Sequence, residues 1–155
     1  MYIAKISKDD IDILVNLNEI IFKDFIKYSR DYITKVCNQR LGYIIRFNNI
    51  PAGYVFCDTY NNEIEKKAVP TIMSIGVLEE FRKLGFGRSL VKLAVELYEN
   101  QDVYLYVREN SAAQDLYVSE GFIIIGNIKG YYKLKSGDEN ANIMVRFHEM
   151  ELFKH

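Results

Sequence analysis

The stretch Ser74-Ile75-Gly76-Val77-Leu78-Glu79-Glu80-Phe81-Arg82-Lys83-Leu84-Gly85-Phe86-Gly87-Arg88-Ser89-Leu90-Val91 decides how this chain is read. An apolar, β-like run from Val69 to Val77 ends in a polar turn that carries Gly85, Gly87 and the cations Arg82, Lys83 and Arg88. A helical pattern follows at once, with Leu90, Leu93, Ala94, Leu97 and Tyr98 on one face. A strand that breaks into a basic, glycine-bearing turn and then a helix makes an anion site. The first N–H groups of a helix have no partner within it, and the helix dipole favours negative charge there. Gly85 and Gly87 lack a Cβ, so a phosphate can approach the backbone closely. The pattern predicts a pyrophosphate seat where the helix begins, near Phe86. It is not a dinucleotide fingerprint, because Leu90 stands where G-x-G-x-x-G requires its third glycine.

The length of 155 residues predicts one domain, residues 1–155, with a substantial core. A net charge of −1 argues against bulk binding of nucleic acid. No apolar run approaches the length of a membrane span, and the start Met-Tyr-Ile-Ala-Lys-Ile-Ser lacks a signal-peptide core. Cys37 and Cys57 are too few and too far apart for a disulfide framework or a zinc site. A reducing, cytoplasmic setting with no metal is the expectation.

Working toward the N-terminus, Val69 to Val77 completes a three-strand meander with two earlier strand patterns, Gly42–Phe47 and Ala52–Cys57, joined in a hairpin by the turn-rich Asn48-Asn49-Ile50-Pro51. Asn61 to Lys67 reads as a charged hairpin end. Before these lie a short strand, Tyr2 to Ile6, and a helix capped by Ser7 with the stripe Ile11, Leu14, Val15, Asn18, Ile21 and Phe22. Phe25 to Tyr28 is an aromatic connection, and Ser29 caps a second helix over about 30–39. Toward the C-terminus, Asp102 to Val107 is a strand, and Asn110 is read as the N-cap of a helix that Gly121 ends. Phe122 to Gly126 is a strand, Gly130-Tyr131-Tyr132 lies in a connection, and about 142–147 is the last strand. The order predicts a mixed α/β fold around a mostly antiparallel sheet.

Arg82-Lys83-Leu84-Gly85-Phe86-Gly87 fits the R-x-x-G-x-G/A acetyl-CoA signature of the GCN5-related N-acetyltransferase (GNAT) superfamily, and Asn110-x-x-Ala113-x-x-x-Tyr117 with Gly121-Phe122 fits its second signature. The chain therefore resembles that superfamily over nearly its whole length. Within it, the chain is most similar to the protein N-terminal (α-amino) acetyltransferases, on Phe22, Tyr28, Met73, the Tyr131-Tyr132 pair and the segment 137–141. The resemblance implies the GNAT fold, a sheet of about seven strands flanked by about four helices, with acetyl-CoA as cosubstrate. It also implies roles by position. Ile75 and Val77, flanking Gly76, offer backbone groups to the pantetheine arm and the acetyl carbonyl. Arg82, Lys83, Leu84, Gly85, Phe86, Gly87 and Arg88 form the pyrophosphate seat. Asn110 and Ala113 adjoin the pantetheine, and Tyr117 faces the sulfur. Phe22, Tyr28, Met73, Tyr131 and Tyr132 line the slot for a protein or peptide N-terminus.

Two positions depart from the pattern. Tyr106 stands where the subgroup commonly has Glu or His, and Thr71 stands where a eukaryotic relative has Tyr. Tyr106 or Thr71, through an ordered water, is then the candidate proton relay, and Tyr117 the donor to the departing thiolate. By spacing alone Tyr117 belongs to an apolar stripe and Tyr106 to a buried strand, so the chemistry comes from the resemblance. His148 and His155, the only histidines, are not read as a base. A neutral amine is required, and a peptide α-amine (pKa near ~7.8) is deprotonated at pH 7 for about 1 kcal/mol, against about 4.6 for a lysine near ~10.4. The implied activity is acetylation of α-amines at protein N-termini, with the ribosome or an auxiliary subunit as candidate partner and the first two helices as docking face. The alternatives are a small-molecule amine acetyltransferase, for which Glu79, Glu80 and Glu109 are the nearest acids to hold a polyamine, and a weakly catalytic acetyl-CoA-binding module.

Overall fold

A computed structural model describes residues 1–23, 25 and 27–148; Ile26 of the aromatic connection and His155 lie outside them. Its elements are β1 (Tyr2–Lys5), α1 (Ile11–Ile21), α2 (Arg30–Asn38), β2 (Gly42–Phe47), β3 (Ile50–Asn62), β4 (Lys67–Val77), α3 (Phe86–Leu97), β5 (Val103–Arg108), α4 (Ala113–Ser119), β6 (Ile123–Leu134) and β7 (Gly137–Arg146). The seven strands are ordered β1-β2-β3-β4-β5-β7-β6. The β4–β5 pair is parallel, while β1–β2, β2–β3, β5–β7 and β6–β7 are antiparallel. This is the mixed sheet with four α-helices that the sequence led to. Among the described residues, no helix is long and apolar enough to cross a membrane.

The chain forms two compact units. The first comprises Met1–Cys57 and Ser74–Leu97; the second comprises Asp58–Met73 and the chain from Tyr98 onward. In the first unit the helix starts follow their cap chemistry. Ser7 Oγ accepts the Asp9 N–H at 3.3 Å and Asp10 Oδ2 accepts the Ser7 N–H at 2.9 Å, which closes a 3₁₀ turn ahead of α1. Ser29 Oγ accepts the Tyr32 N–H at 3.1 Å at the head of α2. The apolar faces of both helices and of β2 and β3 make the core, in which Leu14, Ile33, Val36, Ile44, Tyr54 and Phe56 have no solvent exposure. Cys37 is buried there too, and burial pushes its thiol up to about 11, so it is an inert packing residue.

In the second unit β7 lies between β5 and β6, and Thr71 and Ile72 of β4 pair with Tyr104 and Leu105. Three sequence readings are corrected here. Gly130-Tyr131-Tyr132 is not a connection but part of β6. Gly130, at φ +64°, sits in a stretch where the β6–β7 register shifts between Ile128 and Tyr132, so a bulge absorbs the glycine and the ladder continues to Leu134. β3 likewise runs on past Cys57 to Asn62, which makes Tyr60 a strand residue. Asn110 is not the cap of α4. It lies in the preceding turn, and Ser111 Oγ accepts the Ala113 N–H at 3.2 Å instead.

Candidate active site

In the first unit the chain leaves β4 at Val77, makes a 3₁₀ turn at Glu79–Phe81 and enters α3 at Phe86. The Ser89 N–H and hydroxyl both donate to Gly85 O, at 3.1 and 3.2 Å, which makes Gly85 the residue capping the helix with its carbonyl. The first N–H groups of the helix, from Phe86 onward, are then the ones that its own i to i−4 ladder does not use. Lys83 (φ +68°) and Gly85 (φ +81°) both take left-handed backbone. A Cβ at Gly85 would meet nothing within 4 Å, so conformation rather than space calls for glycine. Arg82 folds back, its Nε donating to Val77 O at 3.1 Å, and so ties the loop to the end of β4. Arg82, Lys83, Leu84 and Arg88 are all exposed.

The loop is bracketed by rings. Phe86 is buried and stacks on Phe81 at 6.4 Å, and Phe47 of β2 touches both, at 5.9 Å from Phe81 and 6.2 Å from Phe86. Of the residues read as the seat, Phe86 therefore offers only its backbone. Gly76 has a packing role. A Cβ there would lie 2.9 Å from Ile21 Cγ2 and 3.3 Å from Phe22 Cε2, so its absence lets the end of α1 lie against β4.

A buried polar chain sets the residues beside it. Asn18 Nδ2 donates to Tyr54 Oη at 2.9 Å, Tyr54 Oη lies 2.7 Å from Ser74 Oγ, and Asn18 Oδ1 accepts the Tyr28 N–H at 3.0 Å. The Phe22 N–H donates to Asn18 O at 3.0 Å. One asparagine thus fixes the backbone of both Phe22 and Tyr28. The Tyr28 ring stacks on Tyr32 at 5.1 Å and meets Phe56 edge-on at 5.3 Å. Burial pushes the Tyr54 phenol up to about 12, against the lowering effect of its two hydrogen bonds. Sequence reasoning missed the Asn18–Tyr54–Ser74 chain. Its signal was a polar residue inside the apolar stripe of α1.

In the second unit Tyr106 of β5 is half-buried, and its Oη accepts the Glu63 N–H at 3.0 Å. The Tyr131 ring lies 5.0 Å from it, and Tyr60 meets it edge-on at 5.5 Å. Tyr60 Oη and Tyr131 Oη are 2.9 Å apart, and Tyr132 stands perpendicular to Tyr131 at 5.0 Å. The structure therefore brings Tyr106, Tyr131 and Tyr132 together and adds Tyr60, which sequence reasoning missed. Burial pushes the Tyr106 phenol above its ordinary range, with the Glu63 N–H opposing. Tyr131 is pushed further, by burial and then by the Tyr60 hydrogen bond. Both phenols are neutral at pH 7.

Thr71 is almost wholly buried, and its Oγ1 donates to Val69 O at 2.9 Å. Met73 is half-buried on the same strand. Tyr117 is the buried residue of α4 and meets the Phe122 ring at 6.0 Å, while Ala113 opens that helix. Exposed Asn110 lines a cavity of about 350 Å³ with Arg108, Glu109, Asp138, Glu139 and Asn140. The acids there are compensated. Arg108 pairs with Glu139 at 3.4 Å, Lys133 with Asp138 at 2.9 Å, and Glu109 accepts from Asn140 at 2.8 Å and from Asn127 at 3.3 Å. His148 Nδ1 lies 2.8 Å from Asp102 Oδ1, beside the start of β5.

The acetyltransferase (GNAT) family matches residues 13–122. N-alpha-acetyltransferase 50 of Danio rerio is 29% identical over 137 residues, covering 84% of this chain and 79% of its own. N-alpha-acetyltransferase of Sulfurisphaera tokodaii is 28% identical over 151 residues, covering 87% of this chain and 86% of its own. Among solved structures, Arabidopsis thaliana NAA60 in complex with a bisubstrate analogue superposes with a TM-score of 0.80 at 22% identity, covering 94% of this chain and 97% of that one.

Proposed function

The chain belongs to the GNAT acetyltransferase family and is an acetyl-CoA-dependent N-acetyltransferase, and from that premise we propose that its acceptor is the α-amine of a peptide or protein N-terminus. The observation that carries this reading is the tyrosine cluster of the second unit. The phenols of Tyr106 and Tyr131 are held neutral, so they relay a proton but do not abstract one as free bases. Such a cluster suits an amine that is already close to neutral. At pH 7 deprotonation costs about 1 kcal/mol for an α-amine and about 4.6 for a lysine. The relatives named N-alpha-acetyltransferase support the same acceptor. The acids beside Glu109 are already ion-paired with Arg108 and Lys133, and Glu109 itself is held by two amides, which disfavours a polycation there.

Each residue set then has a task. In the first unit, the N–H groups at the start of α3 with Arg82, Lys83 and Arg88 hold the pyrophosphate. The Arg82 Nε stays on Val77 O and its other N–H groups face outward to phosphate. The acetyl oxygen accepts and needs a donor, so the Val77 N–H is the group for it, and Ile75 serves the pantetheine. Phe22 and Tyr28 line the acceptor side. In the second unit, Asn110 and Ala113 serve the pantetheine, and Met73, Tyr131 and Tyr132 line the acceptor side. The amine nitrogen attacks the thioester carbon, a C–N bond forms and the C–S bond breaks. Tyr117 donates a hydrogen bond to the departing thiolate, while the amine proton leaves to solvent through water on Tyr106. The Thr71 hydroxyl, already committed to Val69 O, is the weaker candidate for that relay.

A thiol-release assay with short peptides, the same peptides blocked at the N-terminus, free lysine and polyamines tests the acceptor. Turnover on unblocked peptides alone is expected. Turnover that survives blocking, or that favours polyamines, overturns the reading.

A further inference from the structure

Tyr60 has no role in either signature, yet in the acceptor cluster its hydroxyl bonds that of Tyr131 and its ring packs perpendicular to that of Tyr106. Its position follows from a braced hairpin. Asn62 Oδ1 accepts the N–H groups of Ile64 and Glu65, at 2.9 and 3.0 Å, and the Lys66 N–H returns to Asn62 O at 2.8 Å. These bonds close the β3–β4 turn tightly. The closed tip directs the Glu63 N–H at Tyr106 Oη and sets Ile64 on β6, where a Cβ on Gly126 would come within 2.7 Å of Ile64 Cδ1. Tyr60 stands two residues before this brace.

Tyr131 needs such a partner. It falls in the shifted stretch between Ile128 and Tyr132, one residue after Gly130 in left-handed backbone. A bulge re-aims its side chain but leaves it without a regular cross-strand neighbour to hold it. The 2.9 Å bond between the two hydroxyls supplies that hold. Tyr106 accepts from the Glu63 N–H, which anchors its hydroxyl beside the same cluster.

We propose that Tyr60 is a positioning residue for the acceptor amine: its hydroxyl tethers Tyr131 and its ring edge seats Tyr106, so that the two phenols meet the substrate in one arrangement. The inference rests on the reading that Tyr106 and Tyr131 serve the α-amine. Tyr60 touches neither cosubstrate group in this scheme and acts through its neighbours.

The test is a cycle of Tyr60→Phe, Tyr131→Phe and the double variant. It is read by steady-state kinetics on an unblocked peptide and by ultraviolet titration of the phenols. Tyr60→Phe should raise the peptide KM about 5-fold, the effect of one neutral hydrogen bond, and Tyr131→Phe at least as much because it also removes a phenol that meets the substrate, with the acetyl-CoA KM and the melting temperature almost unmoved. The double variant should match Tyr131→Phe alone, because without the Tyr131 hydroxyl the Tyr60 hydroxyl has nothing left to hold. In Tyr60→Phe the most alkaline phenol step should move to lower pH, since the lost bond helps hold Tyr131 up. Additive effects, or equal changes in both KM values, overturn the tether. So does an unchanged titration, which needs no turnover and so separates failure of the tether from failure of the acceptor assignment. If Tyr60→Phe does not fold, an unchanged peptide KM in Tyr131→Phe is equally decisive against the tether.

Discussion

The anion loop of the first unit and the tyrosine cluster of the second are built on opposite principles. The loop is one contiguous run, and its chemistry belongs to the backbone: the first N–H groups of α3, left-handed turns at Lys83 and Gly85, and cations beside them. The cluster is assembled from β3, β5 and β6. Its central hydrogen bond joins residues 71 positions apart, and the bond that holds Tyr106 joins residues 43 apart. A site made of backbone needs only a local pattern. A site made of side chains from three strands depends on where each strand ends and on which residue a bulge displaces. The first kind should break at single loop residues, and the second should fail gradually, one contact at a time.

The sharpest break should come at Gly85. Gly85→Val forces a β-branched residue into φ +81°, which reshapes the turn ahead of α3 and should weaken acetyl-CoA binding ~100-fold by calorimetry. The peptide KM, measured at saturating acetyl-CoA, should stay nearly constant. An affinity within threefold of wild type would show that the phosphates sit elsewhere.

The first unit also contains a non-local network, which sharpens the contrast. Asn18→Ala removes the bonds to Tyr54 Oη and to the Tyr28 N–H, and with them the anchor of the α1–α2 connection. A loss of about 2–3 kcal/mol in denaturant unfolding is expected, because buried groups lose their partners. A change under about 0.5 kcal/mol would mean that another group takes over those bonds. The third effect is catalytic. Tyr117→Phe should lower kcat about 10-fold while the acetyl-CoA KM moves less than about twofold, the pattern of a group acting on the thiolate as it departs. Equal effects on both would make Tyr117 a binding residue.

These contrasts explain what could be read in advance. Ser7, Ser29 and the start of α3 were legible because caps and glycines act over three or four residues. The succession of helices and strands along the chain followed from alternation and turn chemistry, but the placing of β7 between β5 and β6 did not. The extent of β3 and β6 was not legible. Gly130 looks like a stop unless the bulge that accommodates it is known, and Asp58-Thr59-Tyr60 looks like a polar end unless the braced tip beyond it is known. Tyr131 and Tyr132 were singled out through resemblance, yet placed in a connection. Tyr60 carried no local mark, since nothing near it in sequence indicates that Tyr131 will lie opposite. Asn110 drew attention as a cap, but Ser111 does that work, which leaves the exposed Asn110 side chain for the role the signature suggests.

The smallest effect at any one pH compares buried phenols across the two units. Tyr54 has its folded pKa raised to about 12 from 10. Below pH 10 it is neutral in both folded and unfolded chains, so its contribution is fully present. Between pH 10 and 12 the unfolded chain ionises while the folded one does not, and roughly 2–3 kcal/mol of stability is lost across that window. The slope is about 1 kcal/mol per pH unit for this single group. Tyr54→Phe should be less stable at neutral pH, because Asn18 and Ser74 lose a partner, yet its stability should fall less steeply above pH 10 than that of wild type. Tyr131→Phe should also flatten the slope, since its phenol is likewise held up by burial, but at little cost in stability at neutral pH because only the Tyr60 bond is lost. If both variants kept the wild-type alkaline slope, the phenols would be ionising in the folded chain as they do in water, and burial would not govern the ionisation of the tyrosines in either unit.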